Sequence, residues 1–531
     1  MNGSGIAAAP CRAPRLGSAP DLLMLLGLLA FSLLARAVAL PHPVADPDES
    51  LYFVQAQRWL RGEWPYSTGV WDLHPVGAPA LLAAAFAVFG EAVWVARVLA
   101  SLAVGATAFL LHRMLVASGA GWQAGIAAGL LYSAHTLRLG GLATNTEVLF
   151  APFVAGAVLV LYRAILSVAG GRAARLRDAV AAGLLFGVAI WIKYVAAFEA
   201  ALAGCLLPAL ALRHRRAPLR RVLALAAAYA AACWAPTAAT ALAYAGRGEF
   251  GDFASANFGA LLRYIGPESA EVAVRAVLSA LFSFALPAGL ALLSVLWRPR
   301  RPSAWPAARR ALLAVAAAWF AAAAVGAAAT GKYYTHYFLA LLPPLSAASG
   351  LALARAGESL ALPGRRGTVV VAAAAIAAAA PLAEDAAMRA RSGLNIRMND
   401  AERQVAAAVR RHLAAGERLW VVNYQPVVYF LAGAKPASRH VHPTHLTGRQ
   451  RHVAVGDAAA EVSRVLASRP EIIVLGRGGA FDPRDPADPA LIRTIAAALA
   501  EDYAPVEVIE REVVVKVHRL RGRPPSPLPR S

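Results

Sequence analysis

Three carboxylates crowd the stretch Asp46-Pro47-Asp48-Glu49-Ser50-Leu51-Tyr52, immediately beyond the apolar run 21–40. A carboxylate in that position can act as a general base toward a hydroxyl. The same acids also suit an ordinary helix start, where they satisfy backbone amides and the helix dipole, so spacing alone leaves a cap and an active site both open. Asp46, Asp48, Glu49 and Glu147 offer the oxygen ligands that Mg²⁺ or Mn²⁺ prefers. No ligand spacing requires a metal, so a divalent cation is an option and not a necessity.

The basic candidates are fewer. Most of the positive charge is arginine, and two of the few lysines, Lys193 and Lys332, fall at the ends of apolar runs, the second close to His336. His74 follows in Trp71-Asp72-Leu73-His74-Pro75-Val76-Gly77. The plain readings are snorkelling for Lys193 and a hydrogen-bonded interfacial histidine for His336; Arg36 and Arg97 also read as snorkelling side chains. Glu147 stands at a membrane boundary, where an unpaired carboxylate is costly, so it either lies beside Asp48 or pairs with Arg138 or Arg97.

The elements that must carry these residues are membrane helices. The chain has 531 residues, 59% hydrophobic and 16% charged, with a mean hydropathy of +0.53, beyond the balance of a soluble domain. Apolar segments fall near 21–40, 92–112, 122–136, 147–163, 179–193, 196–212, 222–244, 275–297, 311–329, 337–355 and 368–383, about eleven spans. Val76 to Gly90 reads as a helix lying at the interface. With it there, the Arg-rich loops 163–177, 213–221, 298–310 and 355–366 share the cytoplasmic side with residues 1–20. Loop 41–91, segment 245–274 and connection 330–336 then lie outside. The net charge of +21 is explained by topology, which removes the case for nucleic acid. Cys11, Cys205 and Cys233 are too scattered for a disulfide framework.

After residue 384 the composition changes. Strands are expected at 417–424 and 471–476 and helices at 401–414, 458–468 and 489–501, a small extracytoplasmic α/β domain over 385–520 followed by a disordered tail, 521–531. No nucleotide-binding fingerprint marks it. The fold class is thus an α-helical polytopic membrane protein, with its membrane domain at 21–384.

An ordered set of motifs sharpens this. Asp48-Glu49, Trp59-Leu60-x-Gly62, the His74-Pro75-Val76-Gly77 stretch, Asn145-Thr146-Glu147, Trp191-Ile192-Lys193-Tyr194 and Gly331-Lys332-Tyr333-Tyr334-Thr335-His336-Tyr337 with Leu341-Leu342-Pro343-Pro344 follow one another on one face. The set resembles the polyprenyl-phosphate-sugar glycosyltransferases of the GT-C superfamily, the dolichyl-phosphate-mannose-protein mannosyltransferase and aminoarabinose-transferase group, over roughly residues 20–385. It departs at His74, where the family motif commonly has lysine.

The resemblance implies an inner-membrane enzyme that moves a sugar from a polyprenyl-phosphate donor to an extracytoplasmic glycan, lipid or protein acceptor, with inversion. Asp48 would be the base and Glu49 its neighbour in catalysis, in orientation or in capping the helix. Lys193, Lys332, His336 and His74 would meet the departing lipid phosphate, whose negative charge needs positive partners. Glu147, Tyr52 and Tyr337 would contact sugar or acceptor. A transporter would instead place polar residues near the bilayer midplane, often in paired repeats, and a noncatalytic envelope assembly protein would leave the motifs unexplained.

Overall fold

The structure, a computed structural model, describes residues 19–213, 218–296, 305–359, 366–392, 400–478, 481, 485–511 and 513–522. The expected N-terminal segment, much of three Arg-rich loops and the end of the tail lie outside the described residues. The chain runs through α1 (Ala19–Arg36), α2 (Pro47–Leu60), α3 (Gly77–Phe89), α4 (Val93–Ala117), α5 (Trp122–His135), α6 (Thr146–Ala169), α7 (Leu176–Ile192), α8 (Ala196–Arg213) and α9 (Leu219–Gly246). Short α10 (Phe250–Ala254) and α11 (Ala260–Tyr264) flank one π-helical turn. Then come α12 (Ala270–Ser283), α13 (Ala285–Leu296), α14 (Ala307–Ala328), the 3₁₀ segment Thr335–Leu341, α15 (Leu342–Ser359) and α16 (Arg366–Ser392).

Seven helical stretches are long and apolar enough to cross a bilayer, or eight if α12 and α13, bent by 73°, form one span. The other three of the eleven expected spans fall on α5, α7 and α8, of 14, 17 and 18 residues, so length and composition support seven or eight. Helix α3, with 13 residues, reaches about 20 Å at 1.5 Å per residue and is too short for ~30 Å of hydrocarbon. It is two-faced: Leu82 and Phe86 are buried, Val88 and Phe89 exposed. Leu26, Leu34, Trp234, Leu242, Leu281 and Phe282 are likewise exposed on the bundle, as expected where lipid and not water is the solvent.

Close helix contacts rest on small residues. At Gly77 a Cβ would stand 2.3 Å from the Trp191 carbonyl oxygen, so the start of α3 sits directly on the end of α7.

The C-terminal region continues with α17 (Ala401–His412), β1 (Arg418–Val422), α18 (Val427–Ala432), β2 (Lys435–Pro436), α19 (Pro443–Leu446), α20 (Arg451–Ala454), α21 (Ala458–Ala467), β3 (Ile472–Gly476), α22 (Pro489–Asp502), β4 (Tyr503–Glu510) and β5 (Val514–Leu520). The sheet order is β2-β1-β3-β5-β4; β1 is parallel to β2 and β3, and β5 antiparallel to β3 and β4. Strand alternation divides its two faces. Trp420, Val422 and Ile473 pack with Val462, Val465 and Ile495 of α21 and α22. Leu419, Val421, Ile472 and Val474 face the other way, toward the core shared with α17 and α18. From α18, Phe430 inserts its ring 5.6 Å from Phe53 of α2 and 5.3 Å from Phe86 of α3, which fixes this region against the first loop.

Candidate functional site

The site begins at the cap of α2. Asp46 is the N-cap, with extended backbone, and its carboxylate accepts from the Asp48 amide at 3.0 Å. Pro47 occupies the first helical turn, where its missing N–H costs nothing. Glu49 completes a capping box, accepting from the amides of Ala45 at 2.6 Å and Asp46 at 3.3 Å. It also accepts from the Thr144 amide at 2.7 Å and is gripped by both terminal nitrogens of Arg97. Glu49 is fully buried, so the structure gives it the capping role.

Two expectations are corrected here. Arg97 and Arg36 do not snorkel: each is only 2% exposed, because helix packing encloses them and supplies partners, Glu49 for Arg97 and the Thr136 hydroxyl for Arg36. Nor does Glu147 pair with Arg138 or Arg97. Its partner is Lys193 at 2.5 Å, while Arg138 bonds Glu384 and the Ser283 carbonyl.

Asp48 is different from its neighbours. Its carboxylate accepts no hydrogen bond among the described residues, and 33% of its side chain stays open. Two imidazoles stand over it: His336 with Nε2 at 4.0 Å and His442 with Nε2 at 3.7 Å. Burial and the adjacent Asp46 charge raise the Asp48 carboxyl above its ordinary 3.8, against the pull of His336, His442 and His74. At Asp46 burial also opposes ionisation, but His336, the Asp48 amide and Asn145 outweigh it and hold that carboxyl at about 2. The two neighbouring acids are thus pushed in opposite directions, Asp46 toward a fixed charge and Asp48 toward a usable base.

The remaining expected residues surround this pair. His336 lies with Nδ1 3.5 Å from Asp46, stacked on Tyr334 and meeting Tyr337 edge to face. Tyr337 lies under the Lys193 ammonium at 4.1 Å and shares a 3.1 Å hydroxyl contact with Tyr264. Lys332 is 5.4 Å from the Tyr264 ring and 3.5 Å from Glu268. His74 is tied by Nδ1 to both oxygens of Asp72 at 3.1 Å and meets Tyr52 edge to face. Its Nε2 is therefore the nitrogen left for a ligand. Burial disfavours the Asp72 charge, but His74, His445 and the Leu73 amide outweigh it and keep the carboxyl below its usual range. Lys193 is buried and committed to Glu147, which leaves Lys332 and His74 as the more open basic groups. Among the described residues no cluster of three or more acidic, histidine or cysteine side chains could hold a metal; Glu49 and Glu147 spend their oxygens on Arg97 and Lys193.

Sequence reasoning missed the contribution of the C-terminal region. The run His440-Val441-His442-Pro443-Thr444-His445 reaches Asp48 through His442, with the rings of His440 and His445 each 5.3 Å from Trp71. The segment is fastened by Arg439 O to the Trp71 amide at 2.9 Å, by Gln450 Nε2 to the Tyr334 hydroxyl at 2.9 Å, and by Val453 O to Arg263. His442 is 6% exposed and neither ring nitrogen has a partner, an arrangement that costs on the order of 1–3 kcal/mol per unmet group. Burial lowers its pKa despite Asp48, Asp72 and Asp485 nearby, which disfavours the charged form of the ring. The spacing of three histidines was the signal available in the sequence.

Comparisons with known proteins agree with this architecture. A family model described as dolichyl-phosphate-mannose-protein mannosyltransferase matches residues 73–239. The crystal structure of ArnT from Cupriavidus metallidurans bound to undecaprenyl phosphate superposes with a TM-score of 0.59 at 17% identity, covering 93% of this chain and 97% of that one. The apo form of the same protein gives 0.58 at 17%, covering 94% and 98%. A sequence search of curated proteins finds no match. These matches agree with the resemblance carried by the ordered motifs, and the chain is a polytopic membrane protein with the ArnT-like fold and a small C-terminal sheet domain.

Proposed function

We propose that this protein is a membrane glycosyltransferase that moves a sugar from a polyprenyl-phosphate-linked donor to an extracytoplasmic acceptor, with inversion and with Asp48 as the base. The observation that carries the reading is the Asp48 carboxylate, partly open and free of hydrogen bonds among the described residues, between imidazoles and beside an acid that stays ionised. The mannosyltransferase family match over residues 73–239 and the ArnT fold, seen there with undecaprenyl phosphate, support the donor class. The clustering of arginines in the loops opposite the site supports a cell-membrane location with the site outside.

The acceptor hydroxyl attacks the anomeric carbon as Asp48 takes its proton, and the bond to the lipid phosphate breaks with its electron pair on the phosphate. Lys332, His74 and His336 offer the positive charge and donors for that leaving group, with Lys193 released to it from Glu147. Tyr52 and Tyr337 are buried against His74 and Lys193 and hold those groups in place. The test is transfer from radiolabelled polyprenyl-phosphate sugars to envelope fractions by the purified protein. Asp48→Asn is expected to lower the rate by about 10²–10⁴, and Lys332→Ala to weaken donor use. Unchanged transfer by Asp48→Asn would reject the base assignment.

A further inference from the structure

His442 lies outside the motif set of the membrane domain, yet it faces Asp48. Its Nε2 is 3.7 Å from Asp48 Oδ1, too long for a direct hydrogen bond and close enough for one oxygen atom to touch both groups. Among the described residues neither ring nitrogen has a hydrogen-bond partner, and the Asp48 carboxylate accepts no hydrogen bond. The imidazole is held by packing, with His445 at 5.0 Å and the Phe481 ring edge-on at 5.1 Å. Its backbone segment is anchored to Trp71, Tyr334 and Arg263. A purely structural ring here would be better served by phenylalanine, which brings no nitrogens to desolvate. Two unfilled polar groups held rigidly opposite one another are a seat for a hydroxyl.

Building on the transfer reading above, we propose that His442 is a catalytic residue supplied by the C-terminal region: the acceptor hydroxyl binds between Asp48 Oδ1 and His442 Nε2. The hydroxyl donates to the carboxylate and accepts from the imidazole N–H, which leaves a lone pair aimed at the anomeric carbon. On transfer the new C–O bond forms, the bond to phosphate breaks, the proton goes to Asp48, and His442 returns to its starting state. The C-terminal region is then half of the site and not an appendage to it.

His442→Phe keeps the ring and removes both nitrogens. Its kcat is expected to fall at least about tenfold, with donor KM changed less than about twofold and the thermal midpoint equal to or above that of the parent. His442→Gln, whose amide can donate, should recover part of the rate. A His442→Phe protein with parental kcat overturns the proposal, as does a loss matched by loss of folded protein. If the unmodified protein moves no sugar from any lipid-phosphate donor, the transfer reading itself falls, a result distinct from an active enzyme indifferent to His442.

Discussion

The Glu49–Arg97 pair offers the sharpest separation of structure from chemistry at this site. Glu49 is fully buried and Arg97 2% exposed, and the carboxylate receives three backbone amides in addition to the guanidinium. Removing one partner of such a pair strands a charge in a poorly solvated interior, at a cost of about 3–5 kcal/mol. Arg97→Met should fall at the lower end, because the amides of Ala45, Asp46 and Thr144 still face the carboxylate. Glu49→Gln should fall at the upper end: Arg97 keeps only the carbonyls of His42 and Leu142, at 3.2 and 3.4 Å, and the new NH₂ faces amide donors. The double variant removes both charges, so it should be less destabilised than the two single effects added together, with a coupling of about 0.5–3 kcal/mol or somewhat more. Thermal midpoints in detergent or nanodiscs measure this cycle, alongside transfer per folded molecule. A Glu49→Gln protein as stable as the parent but unable to transfer sugar would refute the capping role and return Glu49 to the chemistry.

Two further outcomes follow from the same geometry. In Asp46→Asn the charge that helps raise Asp48 is gone, so the acid limb of the kcat profile should move to lower pH. The Asp46 carboxyl, held at about 2 against 3.8, stabilises the fold by about 2 kcal/mol above pH 3.8, a contribution lost as pH falls through about 2; the variant lacks it at neutral pH, which acid unfolding curves would register. In Gly77→Ala the new methyl meets the Trp191 carbonyl at 2.3 Å, and backbone must give way. A loss of about 1–3 kcal/mol is expected, read as a lower thermal midpoint, and an unchanged midpoint would show that α3 and α7 are not in that contact.

Local patterns were legible in the sequence, and distant pairings were not. The acid run of α2 announced both a cap and a site because capping depends on neighbours three residues apart. Its grip by Arg97 did not show, since an arginine near a helix end looks the same whether it reaches for water or for a buried acid. The helices at 401, 458 and 489 and the strands at 418 and 472 followed their periodicities. Strands β4 and β5 were overlooked: in β4, Pro505 and Glu507 interrupt the apolar residues and Val508 is exposed at the sheet edge, so no clean alternation marks it. Helix α5, with 14 residues, has the composition of a span and less than its usual length, because composition reports hydrophobicity and not depth. His442 stayed hidden for a different reason, because only the folded sheet carries it back to Asp48.

That return has a consequence for how the protein comes into being. Position 48 is synthesised early and position 442 late, and at about 5–20 residues per second the interval is roughly 20 to 80 s. Throughout it the acids of α2 stand at the membrane without their cover. A nascent chain that has not reached residue 442 therefore lacks the imidazole that faces Asp48 in the finished fold.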